Sequence, residues 1–382
     1  MIVGERIRQA REMFQFTHTA LIDEVGLPGF NQSRLSRIEN GLADADPEII
    51  ELLAVALRVR SDFFARPALP ALAPQSPQLR ARSRLTTASK TAVMRWAQTI
   101  LEEYYRLEQS ASPLMSGLED MQDARPAEAA GRMRQLLGFD DFSPLPYLVL
   151  AVERLGVSVL GIPRSEDHMD AFCAWSGDRP IIGILAGTPA DRLRFSVAHE
   201  LGHLVLHRHV NRRPTVEAEA DSFASELLTP RAAMGVVLLR NPTLSQLAII
   251  KSEWGVSVKN LIRRSRELGF IDQDRAVSLY KQMSARGWNK KEPGFVSYEK
   301  PRAFRKLAEI SHGPGPNVEA MARSAAWSET LVMDVLNRHA RIDELPHESA
   351  PIRHVRGINV VDLASVRRKQ QATGSPVNRI LL

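Results

Sequence analysis

At 382 residues the chain is too long for one ordinary core, which predicts two or three domains. With 44% hydrophobic and 25% charged residues it reads as a globular protein, and no run approaches the ~20 apolar residues of a membrane helix. The start "MIVGERIRQAREMF" is charged where a signal peptide needs an apolar core, so a cytoplasmic location is expected; the net charge of +6 is modest, and the single Cys173 excludes an intramolecular disulfide.

Residues 1–66 read as five short helical segments. Thr17 can cap the second, whose Ala20, Leu21 and Val25 form an inward stripe. Asn31 can cap the third, "QSRLSRIENG", which stops at Asn40-Gly41, and Asp46-Pro47 opens the fourth. In the third helix Leu35 and Ile38 share the buried face, leaving Gln32, Ser33, Arg34 and Arg37 outward. Gln can pair with adenine and Arg with guanine, so this face is the candidate contact to double-stranded DNA. Against that stands the charge of the unit, eight Arg and no Lys against ten Asp and Glu. A helical docking module is the alternative reading.

Four prolines within residues 67–77 make a Pro-rich spacer, and "KTAVMRWAQTILEEYYRLEQ" follows as one long helix. The segments "LGVSVLGI", "DAFCAWS" and "RPIIGIL" are strand-like, with "SGD" as a hairpin turn. From Pro189 onward the periodic segments are helical. The stretch 243–271 reads helix, "GVS" turn, helix; packing against its neighbours is the default, and a second DNA-reading unit the alternative. Basic runs occupy 80–95 and 281–306, and a polar tail, "RRKQQATGSPVNRILL", follows the last helical pieces.

"AHELGHLVLH" carries the chemistry. A helix from Thr188-Pro189 to about His207 sets His199 and His203 one turn apart, ~40° around the axis. Leu193, Val197, Leu201 and Leu204 form a different stripe. Two imidazoles so placed can share one Zn²⁺, and Glu200 beside them can take a proton from water without ligating; this is H-E-x-x-H. His207 is too far along the axis for the same ion and is expected to orient a neighbour or cap the helix. In "TVEAEADSFASELLTP", Thr215 can cap a second helix that presents Glu217 and Asp221 at i and i+4. Glu217 is the expected third ligand and Asp221 an acceptor for a ligand histidine, with Glu219 turned away. "RPIIGIL" is the expected edge for an extended substrate, and Tyr147, His168 and His209 are unranked candidates for stabilising an oxyanion.

Two resemblances follow from these motifs. "GERIRQARE…SRIENG…PEIIELLAVAL…DFF" resembles the XRE-type (Cro/C1-like) helix-turn-helix over residues 1–66. It differs in having His18 where that family usually has Gln, and in "GLPGFNQ", which lengthens the turn. "RLRFSVAHELGHLVLHR" with "EAEADSFASELLTP" resembles the ImmA/IrrE family of zinc metallopeptidases over about residues 145–235. "SEWGVSVKNLIRRSRELGFI" and "LRARSRLTTASK…EEYYRLEQ" resemble the helical region and linking helix of XRE–ImmA/IrrE fusions.

The resemblance implies a mainly α fold with a small β-sheet (α+β). It comprises a helix-turn-helix domain (1–66), a Pro-rich linker (67–80), linking helices (81–144) and a zincin-like, gluzincin-type peptidase domain (145–235). A helical region packed on the peptidase (236–295) and a C-terminal helical region (296–382) complete it. It further implies zinc held by His199, His203 and Glu217, Glu200 as general base, operator DNA as partner, and a repressor as protein substrate in a stress or mobile-element response. A homodimer stays open. So do two non-catalytic readings: a regulator whose zinc fold senses a ligand, and an antitoxin-like protein that holds its partner.

Overall fold

In the computed structural model, residues 3–70, 72, 85–109, 116–167, 169–209 and 214–341 are described. Most of the Pro-rich spacer, His168 and the polar tail lie outside them. The described residues are mainly helical with one small three-stranded sheet. All belong to one contact unit, residues 1–342. Among them no helix is long and apolar enough to cross a membrane.

The N-terminal unit is α1 (Gly4–Met13), α2 (His18–Val25), α3 (Gln32–Glu39), α4 (Pro47–Ala56) and a 3₁₀ turn (Ser61–Ala65). Thr17 Oγ1 accepts from Ala20 N, and Asn31 Oδ1 accepts from Arg34 N, so each side chain caps its helix. Helix α5 (Thr87–Glu108) runs against α1, joined through Arg95 to Glu5 and Glu12, both at 2.7 Å, and through Gln9 to Thr99 at 2.9 Å.

After α6 (Pro126–Leu136) and α7 (Leu148–Arg154) comes the sheet: β1 (Ser158–Ile162), β2 (Ala171–Ser176) and β3 (Arg179–Leu185). The hairpin turns at Gly177, whose φ of 59° suits glycine. Strand β3 pairs with β2 antiparallel and with β1 parallel, giving the order β1-β3-β2. "RPIIGIL" is therefore the central strand, not an edge. Its near-continuous Ile and Leu reflect burial on both faces, a pattern that strand position cannot be read from. The edges are β1 and β2.

The remaining helices are α8 (Ala190–Leu206), α9 (Val216–Leu228), α10 (Arg231–Val237), α11 (Leu244–Trp254), α12 (Val258–Glu267), α13 (Gln273–Ala285), α14 (Ala303–His312), α15 (Val318–Ala325) and α16 (Glu329–Leu336). Helices α11 and α12 meet at Gly255 (φ 65°), but the arginines of α12 are engaged with α9: Arg263 with Asp221 at 3.1 Å, and Arg264 Nε with Thr229 O at 3.0 Å. These contacts pack α12 against α9 and its C-terminal end.

The sheet divides the core. Its Val159, Cys173, Ile182 and Ile184 face a cluster that contains α8 and α9. Leu160, Ile162, Phe172, Ala174, Ile181 and Leu185 face another that contains α5, α14–α16 and the N-terminal unit. The 3₁₀ turn's approach is also hydrogen-bonded to the α15–α16 connection, Arg60 N to Ala326 O at 3.0 Å and Ser328 N to Arg58 O at 3.1 Å. So α1–α4 share a core with segments nearly three hundred residues away.

One buried histidine makes this packing pH-dependent. Gly161 N donates to His339 Nε2 (3.1 Å) and His339 Nδ1 donates to Val335 O (2.8 Å), which fixes a neutral ring at 0% exposure. Burial, with neighbouring cations, pushes its pKa from 6.5 down to about 4. The unfolded chain takes the proton first, so the contribution is complete above the unfolded value and is lost as pH falls towards 4. At pH 5 the expected loss is about 2 kcal/mol relative to pH 7. Urea denaturation of wild type and His339→Gln at both pH values checks this; equal pH slopes in the two proteins would refute it.

Candidate metal centre

Helix α8 begins at Ala190 after Pro189; the Thr188 hydroxyl does not cap it but bonds Asp170 at 3.2 Å. The helix is buried nearly all round: Leu193, Val197 and Leu201 at 0% on one side, His199 at 4% and His203 at 0% towards α9. Close approach of α9 is permitted by Gly202. A Cβ there would lie 2.9 Å from the Phe223 ring. Thr215 precedes α9 without a capping hydrogen bond.

This packing brings three ligand atoms together. His199 Nε2 and His203 Nε2 are 3.1 Å apart, and Glu217 oxygens lie 3.7 and 3.5 Å from them. Among the described residues, His199, His203 and Glu217 form a group able to hold a metal ion. A tetrahedral ion with ~2.0–2.1 Å bonds spaces its nitrogen ligands ~3.3–3.4 Å apart, close to what is seen.

The hydrogen bonds leave the same nitrogens for a cation. His199 Nδ1 donates to Asp221 Oδ1 at 2.9 Å, and His203 Nδ1 lies 3.0 Å from His207 Nδ1. With His203 Nδ1 protonated, its Nε2 lone pair faces His199 Nε2, and a proton or a metal ion between the two nitrogens satisfies it. Burial opposes charge on His199, but Asp221, Glu217 and Glu200 outweigh it and hold its pKa up to about 9. Burial likewise resists charge on Asp221, and His199 with Arg263 reverses this, keeping the carboxyl below its usual range. The clustered groups could hold a cation.

Glu200 is 3% exposed, and its Oε2 has no hydrogen-bond partner among the described residues. Burial pushes its pKa up, and His199 and His203 oppose this. The Cys173 thiol on edge strand β2 hydrogen-bonds to it. A buried carboxylate with an unused oxygen beside a cation site is placed to take a proton from water.

Three contributors escaped the motif reading. Arg263, from α12, braces Asp221 at 3.1 Å and Ser225 at 2.6 Å. Cys173 drew notice only as a lone cysteine. Glu219 is not turned away: its Oε2 sits 2.8 Å from His207 Nε2. The helix α9 spacing misleads because His207, the residue after α8, leaves the helical path and swings its ring to meet it. Of the oxyanion candidates, Tyr147 stands at the start of α7, His209 lies 3.8 Å from Asp120, and His168 is outside the described residues.

On α3, Gln32, Ser33 and Arg37 are exposed. Gln32 bonds Thr19, Arg34 pairs with Asp46 at 2.6 Å, and Arg37 contacts Leu42 O at 3.4 Å. His18, at the start of α2, bonds Glu39 at 3.0 Å.

Residues 152–266 match the peptidase M78 family model, described as the IrrE N-terminal-like domain. The match covers β1 to most of α12, hence every residue of the metal centre, and supports a metallopeptidase-type function for that stretch. No curated protein matches the chain.

Proposed function

We propose that the protein is a regulatory zinc endopeptidase that also binds duplex DNA. The observation that carries the first half is the pair of Nε2 atoms facing each other at 3.1 Å, with Glu217 beside them and the orphaned Glu200 oxygen buried alongside. Two imidazoles and one carboxylate are a donor set that zinc favours, and three protein ligands leave a position open for chemistry.

His199, His203 and Glu217 would hold the ion, and Asp221, braced by Arg263, would orient His199. A bound zinc ion supplies Lewis acidity, acidifying water and polarising a carbonyl. Glu200 accepts the proton from attacking water and returns it to the leaving amine. An extended substrate adds to β2, which no strand pairs on its outer side among the described residues. Cys173 on that strand hydrogen-bonds to Glu200, so a chain added there would run beside the base. The decisive experiment is cleavage of a purified helix-turn-helix repressor from the protein's own genomic neighbourhood by the zinc-loaded chain, read by mass spectrometry against Glu200→Gln.

For DNA, the reading rests on the outward face of α3. The Arg34–Asp46 pair is exposed on both sides and therefore weak, so phosphate or a base edge can displace Asp46. Deleting residues 1–66 would uncover the core shared with α5, so point variants are the cleaner test. Arg34→Ala and Arg37→Ala are each expected to weaken binding to the protein's own promoter by roughly 1–3 kcal/mol if they read bases, or to reduce the salt slope by about one if they hold phosphate. Gel shifts over a salt series measure both. Unchanged affinity and slope in the double variant would move any DNA contact elsewhere.

A further inference from the structure

We propose that His207 and Glu219 act as a positioning pair that selects the metal-binding tautomer of His203; this rests on the reading of His203 as a zinc ligand. The relay of hydrogen bonds starts at Glu219. Its carboxylate only accepts, so at 2.8 Å His207 Nε2 must carry the hydrogen. A neutral His207 then presents a lone pair at Nδ1. Ligation through His203 Nε2 requires the hydrogen on His203 Nδ1, 3.0 Å away, and the His207 lone pair accepts it. That leaves the His203 Nε2 lone pair directed at His199 Nε2 and Glu217. The opposite orientation would put a hydrogen on His203 Nε2, where it could not ligate, and set a His207 lone pair against the Glu219 carboxylate.

The two ligand histidines are thus supported differently. On the Nδ1 side His199 meets the Asp221 carboxylate directly, whereas fully buried His203 reaches Glu219 through the His207 ring. His207 can take this place because it ends α8: its amide still bonds His203 O at 3.1 Å, while its φ of −129° turns the residue out of the helix. Its ring is 4% exposed and lies 5.1 Å from the His203 ring, centroid to centroid. Partners of ligand histidines typically change metal affinity ~10–100-fold when removed.

The test uses the full chain with His207→Phe, Glu219→Leu, the double variant, His207→Gln and, as reference, Glu217→Ala. Zinc dissociation constants come from chelator competition, His203 ring ¹⁵N shifts report the tautomer, and thermal unfolding of the metal-free proteins reports folding. His207→Phe and Glu219→Leu should each weaken zinc ~10–100-fold. The double variant should be no worse than His207→Phe, because Glu219 acts through His207. His207→Gln, whose side-chain oxygen accepts from His203 Nδ1, should recover most of the affinity. Should His207→Phe fail to fold, the partly exposed Glu219 and the Gln variant still decide the matter. Wild-type zinc affinity in both single variants, with zinc lost in Glu217→Ala, overturns the proposal alone. Additive effects also overturn it. A wild-type chain that binds no zinc overturns the metal reading and this proposal together.

Discussion

Glu200→Gln is expected to remove repressor cleavage while leaving zinc content and folding intact. Glutamine keeps the shape and reach of the side chain but accepts no proton at neutral pH. Glu200 is not one of the three clustered ligand residues, which predicts zinc retention. A positioned general base contributes ~10²–10⁴-fold, and cleavage should fall by at least that much. The same variant separates three readings in the cell. A peptidase loses regulation along with cleavage, whereas a sensor or a partner-holding protein keeps it, because only shape and metal matter there. Cleavage, reporter output and zinc are measured on matched preparations. A zinc-replete Glu200→Gln protein that regulates normally would leave the fold without the catalysis.

How much of this was legible in advance depended on range. His199, Glu200 and His203 lie within one helical turn, so 3.6-residue periodicity alone places them together. Glu217 and Asp221 needed only one further step, a second helix with small residues facing the first. Range also explains the failures. Strand order is set by pairing across the sheet, so "RPIIGIL" looked like an edge and is central. Arg263 reaches Asp221 from 42 residues away, and nothing local in "KNLIRRSRE" distinguishes it from a solvated arginine. Glu219 was misplaced because ideal-helix geometry describes α9 and not His207, which has left α8. The union of α1–α4 with α14–α16 was also invisible, since Val59 pairs with Trp327 through backbone atoms that carry no sequence signature. A ligand cluster assembled from near neighbours could be read; its supports, drawn from afar, could not.

Removing Glu217 should produce the larger loss of metal. Its side chain is 37% exposed, so Glu217→Ala empties no core and the metal-free protein should unfold at the wild-type temperature. What changes is the donor set: two imidazoles remain, facing each other with one fewer negative charge to offset the ion. The loss in zinc affinity should exceed the ~10–100-fold typical of residues that act behind a ligand. Stability follows by mass action, since each tenfold weakening of zinc removes about 1.4 kcal/mol of ligand-linked stabilisation at fixed free zinc. A zinc titration followed by thermal unfolding should therefore show a rising midpoint in wild type, a delayed rise in Glu219→Ala, and almost none in Glu217→Ala over the same range. The ordering matters more than the sizes. Glu219 bonds His207 and is not among the clustered ligand residues, whereas Glu217 oxygens stand within 3.7 Å of both ligand nitrogens. If the two variants bind zinc equally well, the third ligand has been misassigned and the open position of the site must be sought elsewhere.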